Sequence, residues 1–267
     1  MTQDQITQAL SELKSSLDEE GSLAQVYVDG DRVVAVITYE QVDYTKTELR
    51  QVQPREAIIE FTKGESGNHI IRSTQNSFTE AAVQKLLDTL SISTGKTIVP
   101  SRISLEGHPH HEKRTSFFEQ LMKNIDGHTF ITVTEAFCFK PKIKASIKTE
   151  EDEEKELEDQ PYVERVGLRG EGVNRSFVID DLYKNEYYII KAIWRVRRTS
   201  QIDSDHFEIE AQFENGDSCT GFSYQIRNVY LVEEGKVTDK KRPVKSDERD
   251  LLYRAIEKAA RSSYNTL

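Results

Sequence analysis

Residues 206–226 read HFEIEAQFENGDSCTGFSYQI, and they are the most informative segment for the fold. Residues 206–213 alternate strictly, with apolar side chains at the odd positions and polar side chains at the even positions. Such alternation predicts a half-buried β-strand. Asn215-Gly216 is the strongest hairpin signal in the chain and leads into a second strand over 218–226. The segment therefore predicts two adjacent antiparallel strands.

Similar patterns extend outward from this hairpin. Strands are predicted over 128–139, 173–179 and 186–198, and Gly30-Asp31 predicts another hairpin between two apolar runs. Apolar residues recur every three or four positions in further segments, which predicts amphipathic helices over 3–18, 77–90, 116–125 and 246–263. We expect an α+β fold with two domains of mainly antiparallel β-sheet, each with amphipathic helices packed on one face.

Residues 141–161 interrupt these patterns. They lose hydrophobic periodicity, and residues 150–159 carry eight acidic side chains and one lysine, which accounts for most of the formal net charge of −10. We predict an N-terminal α+β domain over 1–140, an acidic linker over 141–161, and a C-terminal β-meander with a final helix over 162–267.

Composition and charge narrow the class of protein. Mean hydropathy is −0.62, and no apolar run approaches the roughly 18 residues that a membrane span requires. The acidic balance disfavours nucleic-acid binding, which needs clustered lysine and arginine. The N-terminus carries no signal-peptide pattern, and the cysteines are Cys138 and Cys219. We therefore expect no membrane association and a reducing, cytoplasmic location with free thiols.

Three histidines fall within four residues, at His108, His110 and His111. Imidazole nitrogens bind Zn²⁺ or Fe²⁺, and a carboxylate such as Glu112 would help to complete a site. The spacing matches no established metal motif, and such a loop is more often a solvated turn or the segment that leads into a helix. A divalent metal is the one cofactor that the sequence suggests.

Glu135 is the candidate catalytic residue. It falls on the apolar side of the predicted strand 128–139. A carboxylate held away from water has a raised pKa and can act as a general acid or base. A strand end, a β-bulge or a salt bridge to a neighbouring lysine or arginine would account for the same position.

The predicted strand 186–198 supplies a candidate contact surface. Its even positions form an apolar core face, whereas its odd positions mix apolar and basic side chains. Apolar groups on an exposed face often mark contacts between proteins. The candidate partner-binding residues are Tyr187, Ile189, Lys191, Ile193 and Arg195.

No established catalytic motif is present in the sequence. We therefore expect an intracellular interaction or regulatory protein without catalytic activity, bound to a protein partner or to a second copy of itself. The alternative is a metal-dependent hydrolase or nuclease that uses the histidine loop. A third hypothesis is single-stranded nucleic-acid binding by the C-terminal sheet, although Glu208 and Glu210 on the next strand would neutralise its arginines.

Overall fold

The computed structural model describes residues 1–64, 67–142 and 162–267. The chain divides into two compact units, Met1–Ser101 and Arg102–Leu267. The predicted acidic linker, apart from its first two residues, lies outside the described residues. In the part of the chain that is described, no helix is long and apolar enough to cross a lipid bilayer.

The first unit contains a four-stranded antiparallel sheet in the order β1-β2-β3-β4. Its elements are α1 (Gln3–Glu19), β1 (Leu23–Asp29), β2 (Arg32–Val42), β3 (Val52–Lys63), β4 (His69–Ser73) and α2 (Ser77–Thr94). The hairpin predicted at Gly30-Asp31 is confirmed, because Asp29 pairs with Arg32. Alternate strand residues such as Ile37 and Ile59 join Leu10 and Leu86 of the helices in one buried cluster.

The second unit contains a six-stranded antiparallel sheet in the order β10-β9-β8-β7-β5-β6. The strands are β5 (His128–Phe139), β6 (Arg165–Arg169), β7 (Tyr188–Arg198), β8 (His206–Asn215), β9 (Thr220–Glu233) and β10 (Lys236–Arg242). The helices are α3 (His111–Lys123), α4 (Phe177–Lys184) and α5 (Ser246–Asn265). A buried cluster around Trp194 joins Phe117 of α3 and Ile256 of α5 to the strands.

The boundary between the two units differs from the expected boundary at 141–161. Strand β5 lies between β7 and β6 in the six-stranded sheet, and Phe117 and Phe118 of α3 pack in the same cluster as Trp194. The segment that precedes the acidic tract thus forms one sheet with the segment that follows it. The compact units divide between Ser101 and Arg102 instead.

Residues 173–179 do not form the expected strand. They form a 3-10 turn at Val173–Arg175 and the beginning of α4. The Ser176 side chain accepts a hydrogen bond from the Ile179 N–H at 3.4 Å. This capping bond favours a helix despite the short apolar run that follows Ser176.

Candidate functional site

The two isoleucines of the expected contact surface on β7 are buried, not exposed. Ile189 is 2% exposed and Ile193 is 1% exposed. The pairing of β5 with β7 shifts by one residue beside Ile190. Such a bulge breaks the alternation of the strand, and both Ile189 and Ile190 belong to the buried cluster. Tyr187 lies just before β7, and its hydroxyl donates to the Val163 carbonyl.

The charged side chains of this face pair across the strands. Lys191 Nζ lies 2.9 Å from Glu210 Oε1, and Arg195 Nε lies 3.9 Å from Glu208 Oε1. The Tyr230 hydroxyl donates to Glu208 at 3.1 Å, and the Arg195 guanidinium lies 3.9 Å from the centroid of the Tyr230 ring. Both glutamates are buried. Lys191 and Arg195, two of the basic side chains that the nucleic-acid hypothesis invoked, are thus paired with carboxylates within the sheet.

Glu135 lies in a cross-strand ion pair. Its Oε1 is 3.2 Å from Arg169 Nε, and the two residues are register partners in β5 and β6. On the other side of β5, Glu135 lies opposite Ile193. This geometry matches the salt-bridge alternative for the carboxylate.

The three histidines diverge at the start of α3. The His108 ring meets the edge of the Tyr264 ring, with 6.1 Å between centroids. His110 is exposed and immediately precedes α3. His111 is the first residue of the helix, with its Nδ1 3.4 Å from Glu112 Oε2. Within residues 1–64, 67–142 and 162–267, no three His, Cys, Asp or Glu side chains are grouped so as to hold a metal ion.

Arg114 is a buried cation that the sequence analysis missed. Its Nε donates to the His108 carbonyl at 2.8 Å, and its Nη1 donates to the Tyr188 hydroxyl at 2.6 Å and to the Asp217 carbonyl at 2.7 Å. Burial raises the pKa of Tyr188. Arg114 therefore ties the histidine loop to the β8–β9 turn. Helical spacing could have revealed its burial, because it shares a face with Phe117, Phe118 and Leu121.

A second ion-pair cluster joins three elements of the same unit. In Arg242 of β10, Nη2 lies 3.0 Å from Asp205 Oδ2, and Nη1 lies 2.7 Å from Oε2 of Glu248 in α5. Arg198 of β7 lies 3.3 Å from the same Glu248. The hydrogen bonds from Arg242 lower the pKa of Glu248. These groups saturate one another, and they fix α5 against the sheet rather than forming a site for a ligand.

Strand β1 lies at an edge of the four-stranded sheet, and no described strand pairs with its outer side, which we call the free edge of β1. The Ala24 N–H donates to Asp18 Oδ1 at 3.3 Å, so the backbone groups of Ala24 point away from β2. Alternate residues of an antiparallel strand present their backbone groups to the same side. Val26 and Val28 therefore direct their N–H and C=O groups toward this free edge.

The side chains of β1 leave this edge unguarded. The strand reads LAQVYVD, and its one charged residue, Asp29, pairs with Arg32 inside the hairpin. Edge strands commonly carry lysine, proline or bulges that discourage pairing with another chain. Strand β10 carries four basic residues and a register shift, and β6 has an arginine at each end. Strand β1 has none of these devices.

Apolar side chains surround the same edge. Leu23 is 73% exposed, Tyr27 is 49% exposed and Val28 is 52% exposed. Through the strand register, Val36 of β2 and the exposed Ile58 of β3 continue the face that carries Leu23 and Tyr27. The opposite face of the sheet carries the residues of the buried cluster. The edge of β1 is therefore bordered by exposed apolar side chains, with Leu23 and Tyr27 on one face of the sheet and Val28 on the other.

No protein-family model matches the chain, and neither the curated proteins nor the solved structures include a significant match. The geometry of the chain is therefore the basis for assigning a function.

Proposed function

We propose that this chain is a protein-interaction protein that self-associates through the free edge of β1. The supporting observation is the unguarded edge at Val26 and Val28, bordered by the exposed side chains of Leu23 and Tyr27. Addition of a strand to a sheet edge provides backbone hydrogen bonds and buries apolar surface at the same time. We keep the cytoplasmic location expected from the sequence as part of this proposal.

The backbone directions define the register of the pairing. Two antiparallel copies of β1 related by a two-fold axis at Tyr27 would place Val26 of one copy opposite Val28 of the other. Each such pair can exchange both of its backbone hydrogen bonds. An axis at Val26 would instead require the Ala24 N–H, which already donates to Asp18. The Tyr27 register therefore uses only backbone groups that face the free edge.

A second copy is the partner that this surface fits best. The two-fold axis brings the two Tyr27 side chains together on the exposed face, and directly opposed aromatic side chains stabilise cross-strand pairs. The edge offers no net charge for recognition of a highly charged partner, because Asp29 is paired with Arg32. An isologous interface needs only a self-complementary strand.

Sedimentation velocity over a concentration series tests the proposal. We expect the wild-type chain to form a concentration-dependent dimer. Val28→Pro removes an N–H that faces the free edge and should shift the chain to monomer, because proline is tolerated on an edge strand but cannot donate. Circular dichroism should show that the variant keeps its secondary structure.

Val28→Thr is the matched control. It keeps the N–H and the β-branched shape, so the dimer should persist. A wild-type chain that stays monomeric throughout the series would overturn the proposal. A dimer that Val28→Pro leaves intact would also overturn it, because the contact would then lie elsewhere.

A further inference from the structure

One row of side chains crosses four strands of the six-stranded sheet. Each member is the register partner of the next, and register partners point to the same face of a sheet. From β7 to β10 the row consists of Arg197, His206, Tyr230 and Lys241. We call these residues the cationic row. They lie on the face opposite the buried cluster, because the neighbouring strand residues Val196 and Phe207 belong to that cluster.

The two ends of the cationic row are cations without a carboxylate partner among the described residues. The Arg197 guanidinium donates to the Gln201 carbonyl at 3.4 Å. Lys241 Nζ lies 4.7 Å from the centroid of the Tyr230 ring, so its ammonium group leans toward the middle of the row. The Arg195 guanidinium lies 3.9 Å from the same centroid. Positive charge is therefore concentrated around this ring.

The carboxylates nearest to the row are already paired. Glu208 accepts the Tyr230 hydroxyl at 3.1 Å, and its Oε1 lies 3.9 Å from Arg195 Nε. Asp205 Oδ2 lies 3.0 Å from Arg242 Nη2. These carboxylates neutralise Arg195 and Arg242, and the charges at the two ends of the row remain.

His206, in the middle of the row, has a side chain without a hydrogen-bond partner among the described residues. It is 9% exposed, but its ring nitrogens are not among the unpaired polar atoms that are closed off from solvent. Burial lowers its pKa, and so do the positive charges of Arg195 and Arg197, which outweigh the opposite effect of Asp205. The ring is therefore neutral at pH 7 and carries one N–H donor. An acceptor that binds from solvent would satisfy this donor.

We propose that the cationic row binds the phosphate group of a small phosphate monoester, with Arg197 and Lys241 neutralising its charge and the His206 ring donating a hydrogen bond to it. Two cations without a paired carboxylate match a dianion. The planar fork of arginine fits phosphate oxygens, and lysine adds a point charge. A nucleic-acid strand would need a longer track of unpaired cations, whereas Lys191 and Arg195 on this face are paired. The site lies outside the unit that contains β1, so it does not depend on self-association.

Calorimetric titration of the full chain with phenyl phosphate and with phenyl sulfate tests the site. The two probes share the same aromatic body. At pH 8 phenyl phosphate is a dianion, since the second pKa of a phosphate monoester is about 6, whereas phenyl sulfate carries one charge. At constant ionic strength we expect phenyl phosphate to bind roughly tenfold more tightly, because the second charge is matched by a second cation. The ring resonances of His206, followed by NMR, should shift with phenyl phosphate.

Two variants of β10 separate the row from general charge. Lys241→Gln removes one end of the row from an exposed position, so the chain should fold and bind phenyl phosphate roughly tenfold more weakly. Lys236→Gln is the matched control, because it removes the same charge from the other end of β10 and should leave the affinity within twofold.

Three results would overturn the proposal. They are the absence of phenyl phosphate binding with unmoved His206 resonances, equal affinity for the two probes, and equal weakening by the two variants. The last would show that diffuse positive charge, rather than the row, attracts the anion. A single-stranded oligonucleotide without a terminal phosphate serves as a competitor. Its displacement of phenyl phosphate would assign the row to nucleic acid and would also contradict the proposal.

Discussion

At the scale of single residues, the polar face of the six-stranded sheet depends on buried carboxylates. Glu210 is buried, and Lys191 Nζ at 2.9 Å and Arg227 Nε at 3.5 Å neutralise it. A buried ion pair adds little net stability compared with apolar residues, but the loss of one partner leaves a poorly compensated charge. The contribution of these ion pairs to the free energy of unfolding can therefore be measured by replacing the partners of Glu210.

We expect Lys191→Met to lower the free energy of unfolding by about 1–2 kcal/mol, because Glu210 then keeps only the longer contact with Arg227. Urea denaturation measures the change. Lys191→Met combined with Glu210→Gln should cost less than Lys191→Met alone, because no uncompensated carboxylate remains. Losses that simply add in the double variant would show that the two side chains do not interact.

At the scale of elements, the hairpin of β8 and β9 shows what local sequence predicts and what it omits. The pairing expected from alternation is confirmed, and Asn215 pairs with Thr220. The turn therefore covers residues 216–219, and the Asn215 side chain accepts the N–H groups of Asp217 and Ser218. Glycine is required at position 216 by a contact from outside the hairpin, because an added Cβ would lie 2.9 Å from the ring of Phe139 in β5. A local pattern cannot reveal that contact.

Gly216→Ala should therefore destabilise the hairpin through crowding. The phenylalanine ring is buried and cannot move freely, so we expect a loss of about 1–3 kcal/mol, typical of overpacking. Thermal denaturation measures this loss. The same substitution should cost less when Phe139 is replaced by leucine. An equal cost in both backgrounds would argue that backbone flexibility, rather than the ring, requires glycine.

At the scale of the whole molecule, the sequence predicts where individual strands and helices lie better than which strands pair with one another in the sheet. The expected strand 128–139 matches β5, because its alternation is local. Its position between β7 and β6 depends on residues far along the chain. The same limit applies to the candidate sites. The burial of Ile189 follows from a bulge that forms against β5, and the free edge of β1 can be identified only once the strand order is known.

The division of the chain provides a final prediction. A fragment of residues 102–267 should fold, because it contains a complete sheet and its buried cluster. A fragment of residues 162–267 should not fold, because it lacks β5 and α3. The loss of these elements would expose one side of β7 and uncover Trp194, the single tryptophan of the sequence. Tryptophan emission and urea denaturation distinguish the two fragments. We expect a cooperative transition from a buried indole in the longer fragment and solvent-exposed emission in the shorter one. A cooperative transition in the shorter fragment would instead favour the boundary at 141–161, with β5 dispensable for the remaining strands.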